Sequence, residues 1–403
     1  MSHDPVKILG KIGLAGFAAL TLGHLSQGLT FTAFTPALPQ MAQSFSATGH
    51  GMDIAQQAVT IAALGIFAGS FVSGKIVDII GSRRTMLAAL ILFGISGAGG
   101  LVLATPAALL ASRVINGFAA ACLVTACVNT ISLLFEGNAR AKAIGITAAM
   151  GAAASLIGLL IGGVLAQNFG WRAAFIQFPV FAAGGFVLAF TCIRDIPATA
   201  GDDAGSASSS AAYSWADLLP LFMLATIISM IMFMGSTQLA FLLPQDGVTA
   251  ATAISLVMAT ITVFAVIIGM NFGWLEQKIG LQGTLALAFA ASAAGLGLLG
   301  LVHSLAAAFI GAALMGAYVG VASPYPYHAI TLKAPPQARA RAIGLTGAFT
   351  FLGTFINPFV FGPLTKIIGL HGSFCAAGLV MAALAAGALF RRPRLAVLGT
   401  APD

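Results

Sequence analysis

The chain has 403 residues, of which 59% are hydrophobic and 7% charged, with 18 Lys and Arg against 11 Asp and Glu. A water-soluble domain carries about 25% charged residues, so this chain lacks the polar surface to cover a ball of its size. Composition therefore excludes a soluble globular protein and points to a lipid-embedded one.

Twelve stretches are each apolar over the roughly 20 residues that a bilayer-spanning helix needs. In chain order they are 12–38, 54–76, 84–105, 107–134, 141–167, 171–193, 216–243, 251–274, 282–303, 305–332, 341–367 and 371–390. They are too long for barrel strands, so helices must satisfy the backbone. The opening MSHDPVKILGKIG leads into a span too long for a signal h-region, with no small-residue cleavage site, and is expected to be retained. Residues 194–215 are Ser-, Ala-, Gly- and Asp-rich, lack an apolar period and read as a flexible linker. The expected organisation is an N-terminal six-helix bundle (1–193), a cytoplasmic linker (194–215) and a C-terminal six-helix bundle (216–403). The fold class is an all-α membrane protein of twelve transmembrane helices in two pseudo-symmetric bundles.

Orientation follows the positive-inside rule. With both termini cytoplasmic, 15 of the 18 bases face inward, leaving Arg113, Arg172 and Lys366. The net charge of +7 is then a topology signal, and no nucleic-acid partner is needed. Cys122, Cys127, Cys192 and Cys375 lie in apolar runs without zinc-ligand or disulfide-framework spacing, as small buried hydrophobes do.

The chain also repeats itself. Residues 140–175 align without a gap to 339–374, an offset of 199, with 12 of 36 positions identical. The same offset carries Gly74 onto Gly273, Gly81 onto Gly280 and Gly117 onto Gly316. Six spans return the chain to its starting side, so the halves are parallel repeats about an axis along the membrane normal, able to rock around a central site.

Four short segments carry a family likeness. GKIVDIIGSRRTM (74–86) joins spans 2 and 3, RVINGFAAA opens at Arg113, GLLIGG covers 158–163 and GWRAAF covers 170–175. Together with the helix count, linker and repeat, they resemble the major facilitator superfamily. The first is similar to the family's Gly-x-x-x-Asp-x-x-Gly-Arg-Arg loop, with Ser82 where a base usually follows the second glycine. The second resembles Arg-x-x-Gln-Gly-x-x-x-Ala, with Asn116 for Gln. The third is similar to the Gly-Pro-x-x-Gly-Gly signature of family antiporters, with Leu159 for the proline; Pro358 holds the equivalent place in span 11. The resemblance implies a secondary carrier using alternating access.

Several residues invite roles, each beside a plainer alternative. Gly74 and Gly81 would permit close helix approach and a tight turn. Asp78, Arg83 and Arg84, with Glu136 as a partner, would latch the halves when the carrier faces outward; a purely topogenic basic loop is the alternative. Arg113, deep in span 4, would draw an anionic substrate or tune a proton site, or else bond carbonyls as a structural arginine, since a base in lipid is costly. His24 in mid-span 1 is the candidate proton-coupling residue because no acid lies mid-span; a hydrogen-bonded histidine of fixed charge is the alternative. His24, Gln27 and Phe31, with Asn116, Met234, Gln238, Tyr325 and Asn357, are expected to bind substrate. Met230, Met234, Gln238 and Phe241 would form one soft stripe, or ordinary packing. Pro324 and Pro326 would bend span 10, and Asn357-Pro358 would kink span 11.

No His-Glu-x-x-His, Gly-x-Ser-x-Gly or paired-Asp pattern is present and the histidines are scattered, so an enzyme is not expected. The reading is a secondary active transporter in the bacterial inner (plasma) membrane, moving a small organic solute by proton-coupled export of an amphipathic compound. Uptake or facilitated diffusion of an organic anion is the alternative. Protons, a small-molecule substrate and the lipid bilayer are the expected partners; no cofactor or metal is expected, and a monomer suffices.

Overall fold

The computed structural model describes residues 5–193 and 215–390. Residues 194–214 of the expected linker, and Arg391, Arg392 and Arg394, lie outside the described residues, and the linker's last residue, Trp215, opens a 3-10 turn. Every regular element among the described residues is helical. We number the spans α1 (Pro5–Thr32), α2 (Gly51–Ile80), α3 (Ser82–Val102), α4 (Pro106–Leu134), α5 (Gly137–Phe169), α6 (Trp171–Cys192), α7 (Leu219–Gln245), α8 (Ala251–Met270), α9 (281–301), α10 (Leu305–Lys333), α11 (336–368) and α12 (370–390). Twelve spans are thus present among the described residues. The face where Ile193 and Trp215 lie is called the terminal face, and the opposite one the distal face.

The repeat is written into the backbone. Gly81 (φ 86°, ψ 154°) turns the chain from α2 to α3, and Gly280 (φ 72°, ψ 165°) makes the same turn into α9. Gly170 (φ 83°, ψ 167°) separates α5 from α6, and Gly369 (φ 75°, ψ 173°) separates α11 from α12. Both pairs are 199 residues apart, and at positive φ only glycine escapes the Cβ clash. Close helix crossings repeat too. A Cβ on Gly117 of α4 would strike the Ala62 carbonyl of α2, and one on Gly316 of α10 would strike the Ile261 carbonyl of α8. Ala62 and Ile261 are again 199 apart.

The first helix of each half breaks at the same repeat position. After Thr32, the chain passes through a 3-10 turn, Thr35–Ala37, with Pro36 near its start, into Leu38–Ser44. The counterpart of Thr35 is Met234, where α7 widens into a π-helical turn, Met234–Gln238. Large apolar side chains such as Ile79, Phe169, Ile367 and Leu379 stand outward, at 73–81% exposure. In water that surface would drive aggregation; a lipid solvent accommodates it.

Several expectations need correcting. Span 1 is broken at Gly13 (φ 69°, ψ 168°), close to its expected start, and ends at Thr32, and α2 runs on to Ile80 with an interruption at Ile61. Helix continues past Met270, after Asn271, up to the Gly280 turn, so Glu276 sits on a helix rather than in a loop. A Cβ on Gly74 would meet nothing within 4 Å, so that glycine supports no close approach; Gly81 does make the turn. Pro324 does divide α10, between Leu305–Ala322 and Tyr325–Lys333. Pro358, by contrast, lies in helix with no break before Gly369.

Gly117→Val should force α4 away from α2 and destabilise the protein by about 1–3 kcal/mol, whereas Gly74→Ala should be neutral. Thermal unfolding of the detergent-purified variants checks both.

Candidate functional site

A cavity of about 510 Å³ lies between the halves. It is lined by α1 (Phe31, Thr32), Thr35, α5 (Ser155, Leu159), α7 (Met232, Phe233, Ser236, Thr237), α8 (Met258, Ile261, Thr262) and α10 (Val319, Ser323, Pro324), among others. None of the lining residues is charged. Hydroxyls interrupt an otherwise apolar wall, and the wall extends toward the terminal face at Gly269 and Pro324. Phe31 spans the two halves. Its ring meets Phe233 edge-on at 5.1 Å and stacks near Phe351 at 6.4 Å.

On the distal side the halves touch. Gln167 Oε1 of α5 accepts from the backbone N–H of Ala251, the first residue of α8, at 2.8 Å. Gly163 lies so close to α8 that a Cβ there would strike Ser255. Lys366 Nζ of α11 donates to Asp53 Oδ2 of α2 at 2.7 Å, and His50 Nδ1 lies 3.4 Å from the same oxygen. These contacts close the cavity above while its lower wall reaches toward the terminal face.

Of the expected site residues, Phe31 alone is in the cavity wall. Arg113 is fully buried and is not among the residues lining it. Its Nε donates to the Ala58 carbonyl at 3.1 Å, Nη1 to Asn116 Oδ1 at 2.8 Å, and Nη2 to the Thr30 carbonyl in the last turn of α1. The guanidinium carbon lies 4.8 Å and 4.9 Å from the ring centres of Phe34 and Phe178. Asn116 in turn donates to the Phe93 carbonyl on α3 at 3.1 Å. One guanidinium thus ties α1, α2, α3, α4 and α6, and no carboxylate among the described residues pairs with it. The geometry is that of the carbonyl-bonding alternative. Asn116 belongs to this network rather than to the cavity.

The C-terminal half holds its first helix with neutral groups. Tyr318 of α10 donates to the Ile228 carbonyl at 2.9 Å, and Asn357 Nδ2 of α11 donates to the Met230 carbonyl at 2.7 Å. Asn357 Oδ1 and both amide atoms of Gln238 are buried without a hydrogen-bond partner. Met234 and Gln238 are fully buried and outside the wall. The expected methionine stripe is therefore displaced. Met232, Phe233, Ser236 and Thr237, on the neighbouring face of the same helix, line the cavity instead.

His24 packs against α5 at Gly151, with Nδ1 buried and unpartnered. Gln27 is half-buried on the same helix, outside the wall. Tyr325 is buried beside cavity-lining Pro324 but is not in the lining. At the terminal face, Asp78 is exposed and makes no hydrogen bond or ion pair with a described residue. Arg83 turns to α6, where Nη2 donates to the Phe190 carbonyl at 3.1 Å. Arg84 and Glu136 are exposed. The expected pairing of Glu136 with either arginine is not assembled here.

Sequence reading passed over two features. The hydroxyls Thr32, Thr35, Ser155, Ser236 and Thr237 were hidden as small residues in apolar runs. The histidines are not all scattered: His303 Nδ1 and His371 Nε2 converge on Asp246 Oδ1, at 2.8 Å and 3.4 Å.

A family model described as Major Facilitator Superfamily matches residues 20–249 and 222–401. The chain belongs to the Major Facilitator Superfamily. Family membership agrees with the expectation of a membrane transporter rather than an enzyme. The methylenomycin A resistance protein of Bacillus subtilis is 27% identical over 188 residues, 46% of this chain and 39% of that protein. The puromycin resistance protein pur8 of Streptomyces alboniger is 28% identical over 167 residues, 41% of this chain and 33% of that protein. This chain thus matches about two-fifths or less of the length of either relative. Among solved structures, a D-xylose-proton symporter superposes with a TM-score of 0.76 at 16% identity, covering 94% of this chain and 98% of that one. At that identity the likeness shows the fold alone.

Arg113→Ala should leave the Thr30 and Ala58 carbonyls and Asn116 Oδ1 without their donor, at a cost of about 1–3 kcal/mol each. Arg113→Lys should recover only part of the loss, because an ammonium lacks the planar fork. Folded yield on size-exclusion and the midpoint of thermal unfolding report both.

Proposed function

We propose that the protein is a secondary carrier that exports an uncharged or weakly charged amphipathic organic compound across the bacterial plasma membrane. The carrying observation is the uncharged cavity between the halves, apolar with hydroxyls at intervals. A wall of this kind solvates a mixed apolar and polar ligand, and a few placed hydroxyls orient it. It offers an organic anion no countercharge. The residue that favoured the anion alternative, Arg113, is spent on backbone carbonyls. The names of the two resistance relatives agree with export, since removing a toxic compound confers resistance.

In this reading the terminal face is cytoplasmic, as the basic loops imply. The cavity then opens to the cytoplasm below a closed distal gate, the state in which an exporter loads. Asp78, without a partner among the described residues, fits it as well, because a cytoplasmic latch must be undone while that side is open. Asp78, Arg83, Arg84 and Glu136 remain its proposed members for the outward-facing state. Asp53 and Lys366 form the opposing gate, which must part before release. Proton coupling falls to His24, whose unpartnered Nδ1 lies two helical turns before Phe31. Cavity-lining residues drawn from both sides of residues 193–216 support the proposed division into two halves.

Expression in an efflux-deficient bacterium should lower the steady accumulation of a neutral fluorescent amphiphile several-fold. Dissipating the proton gradient or introducing His24→Gln should abolish that effect. Accumulation of a carboxylate in its place would sink the export reading. Separately, Lys366→Met should shift spin-label distances across the distal face toward longer values, measured by double electron–electron resonance between labels on α2 and α11.

A further inference from the structure

The distal corner of the C-terminal half gathers three metal-binding side chains from three separate elements. Asp246 ends α7, ahead of a turn at Gly247 (φ 86°). His303 follows α9, and His371 lies in the first turn of α12. Their ligand atoms all lie within 4.8 Å of one another. His303 Nδ1 is 2.8 Å and His371 Nε2 is 3.4 Å from Asp246 Oδ1. The Asp246 side chain is only 8% exposed, and no Lys or Arg among the described residues pairs with it. His371 Nδ1 is buried without a partner, so the bonding capacity of that ring lies at Nε2, toward the carboxylate.

The other half shows what this corner requires. His371 is the repeat counterpart of Arg172, and His303 that of Ala104. Arg172 closes its own corner with a fixed cation, its Nη1 donating to the carbonyls of Gly100 at 3.1 Å and Leu103 at 3.0 Å. The C-terminal half has no arginine there. It has instead a nearly buried carboxylate and two imidazoles, a set that a divalent cation completes.

We propose that Asp246, His303 and His371 bind one divalent transition-metal ion of the zinc(II) type, clasping the distal ends of α7, α9 and α12. Two imidazoles and one carboxylate are a borderline donor set suited to zinc rather than to calcium or magnesium, which take oxygen shells. Bonds of about 2.0–2.1 Å in tetrahedral geometry place neighbouring ligand atoms about 3.3 Å apart. The separations from Asp246 Oδ1 already bracket that value. The exposed side of His303 leaves the fourth position to water. The clasp joins the helix that carries the π-turn to the two helices behind it, within one half, so it would fix that half without bridging the gate.

Titration calorimetry on the untagged, detergent-purified full chain, with zinc(II) alone as the probe and calcium as control, tests this. The expected result is one saturable zinc per chain, no calcium binding at the same concentrations, and at least a tenfold weakening in His303→Gln and in His371→Gln. His303 is half-exposed, so His303→Gln should keep its unfolding midpoint without metal; X-ray absorption on the wild type, needing no variant, should show a nitrogen and oxygen shell. Absence of saturable zinc binding, binding unchanged in His303→Gln, or sulfur in the shell would each overturn the proposal.

Discussion

A backbone carbonyl in hydrocarbon must be bonded by the protein itself, because no water is there to accept the task. Each half of this molecule interrupts its first helix on the way to the distal face, at positions related by the 199-residue repeat. The rest of the arrangement follows from how those interruptions are supported. In the N-terminal half, Arg113 reaches the Thr30 carbonyl at the end of α1 and Gln177 Nε2 reaches the Ala33 carbonyl at 2.9 Å. Arg113 also takes the Ala58 carbonyl, one turn before α2 is interrupted at Ile61. A cation at the C-terminal end of a helix is further favoured by the helix dipole, and two aromatic faces add to it. The burial of a charge without a carboxylate, costly in isolation, is offset by the carbonyl dipoles it completes.

The same interruptions furnish the cavity. Thr32 and Thr35 flank the break in α1, and Ser236 and Thr237 lie in the π-turn of α7. Hydroxyls on an unbroken helix bond readily to the carbonyl one turn back. Thr32 also reaches across to the Ser155 carbonyl at 3.1 Å, and so fixes α1 against α5 at the wall. Some of the polar points of the site thus lie at the backbone irregularities, in two places the repeat makes equivalent, and Ser155, Thr262 and Ser323 add others elsewhere in the wall. The charge that supports the break stands behind the helix, away from the ligand space.

Much of the frame was legible in the sequence. Span count, the 199-residue register and the Gly81 turn follow from apolar length and from the backbone freedom that only glycine has. The Pro324 break follows from a missing N–H. The site was less legible, for identifiable reasons. Arg113 announces itself by the cost of burying a base, but cost does not say which way a side chain points; carbonyl capping and ligand binding make the same demand on sequence. The stripe through Met230, Met234 and Gln238 marks one face of α7, but periodicity does not say which face meets the cavity, and the adjoining one through Met232 and Ser236 does. Gly74 satisfied a motif yet has no neighbour to approach. Asp246, His303 and His371 are separated by 57 and 68 residues, and only the packing of α9 against α12 brings them together.

The two halves solve one problem with unequal firmness. Around α1 the supports are a fixed charge and two amides, Asn116 and Gln177, both fully engaged through the atoms that face carbonyls. Around α7 they are a phenol, one amide nitrogen and a hydroxyl pair between Ser229 and Thr354 at 2.8 Å. There Asn357 Oδ1 and both polar atoms of Gln238 are left unbonded. Each such group costs about 1–3 kcal/mol, so this arrangement of α7 and α11 holds free energy that a different packing, or a polar ligand group, would recover. Among the described residues no comparable unbonded group lies beside α1, apart from His24 on the α5 side. Fixed charge on one side and unbonded amides on the other thus set the two repeats apart, even though their backbones keep the same 199-residue register.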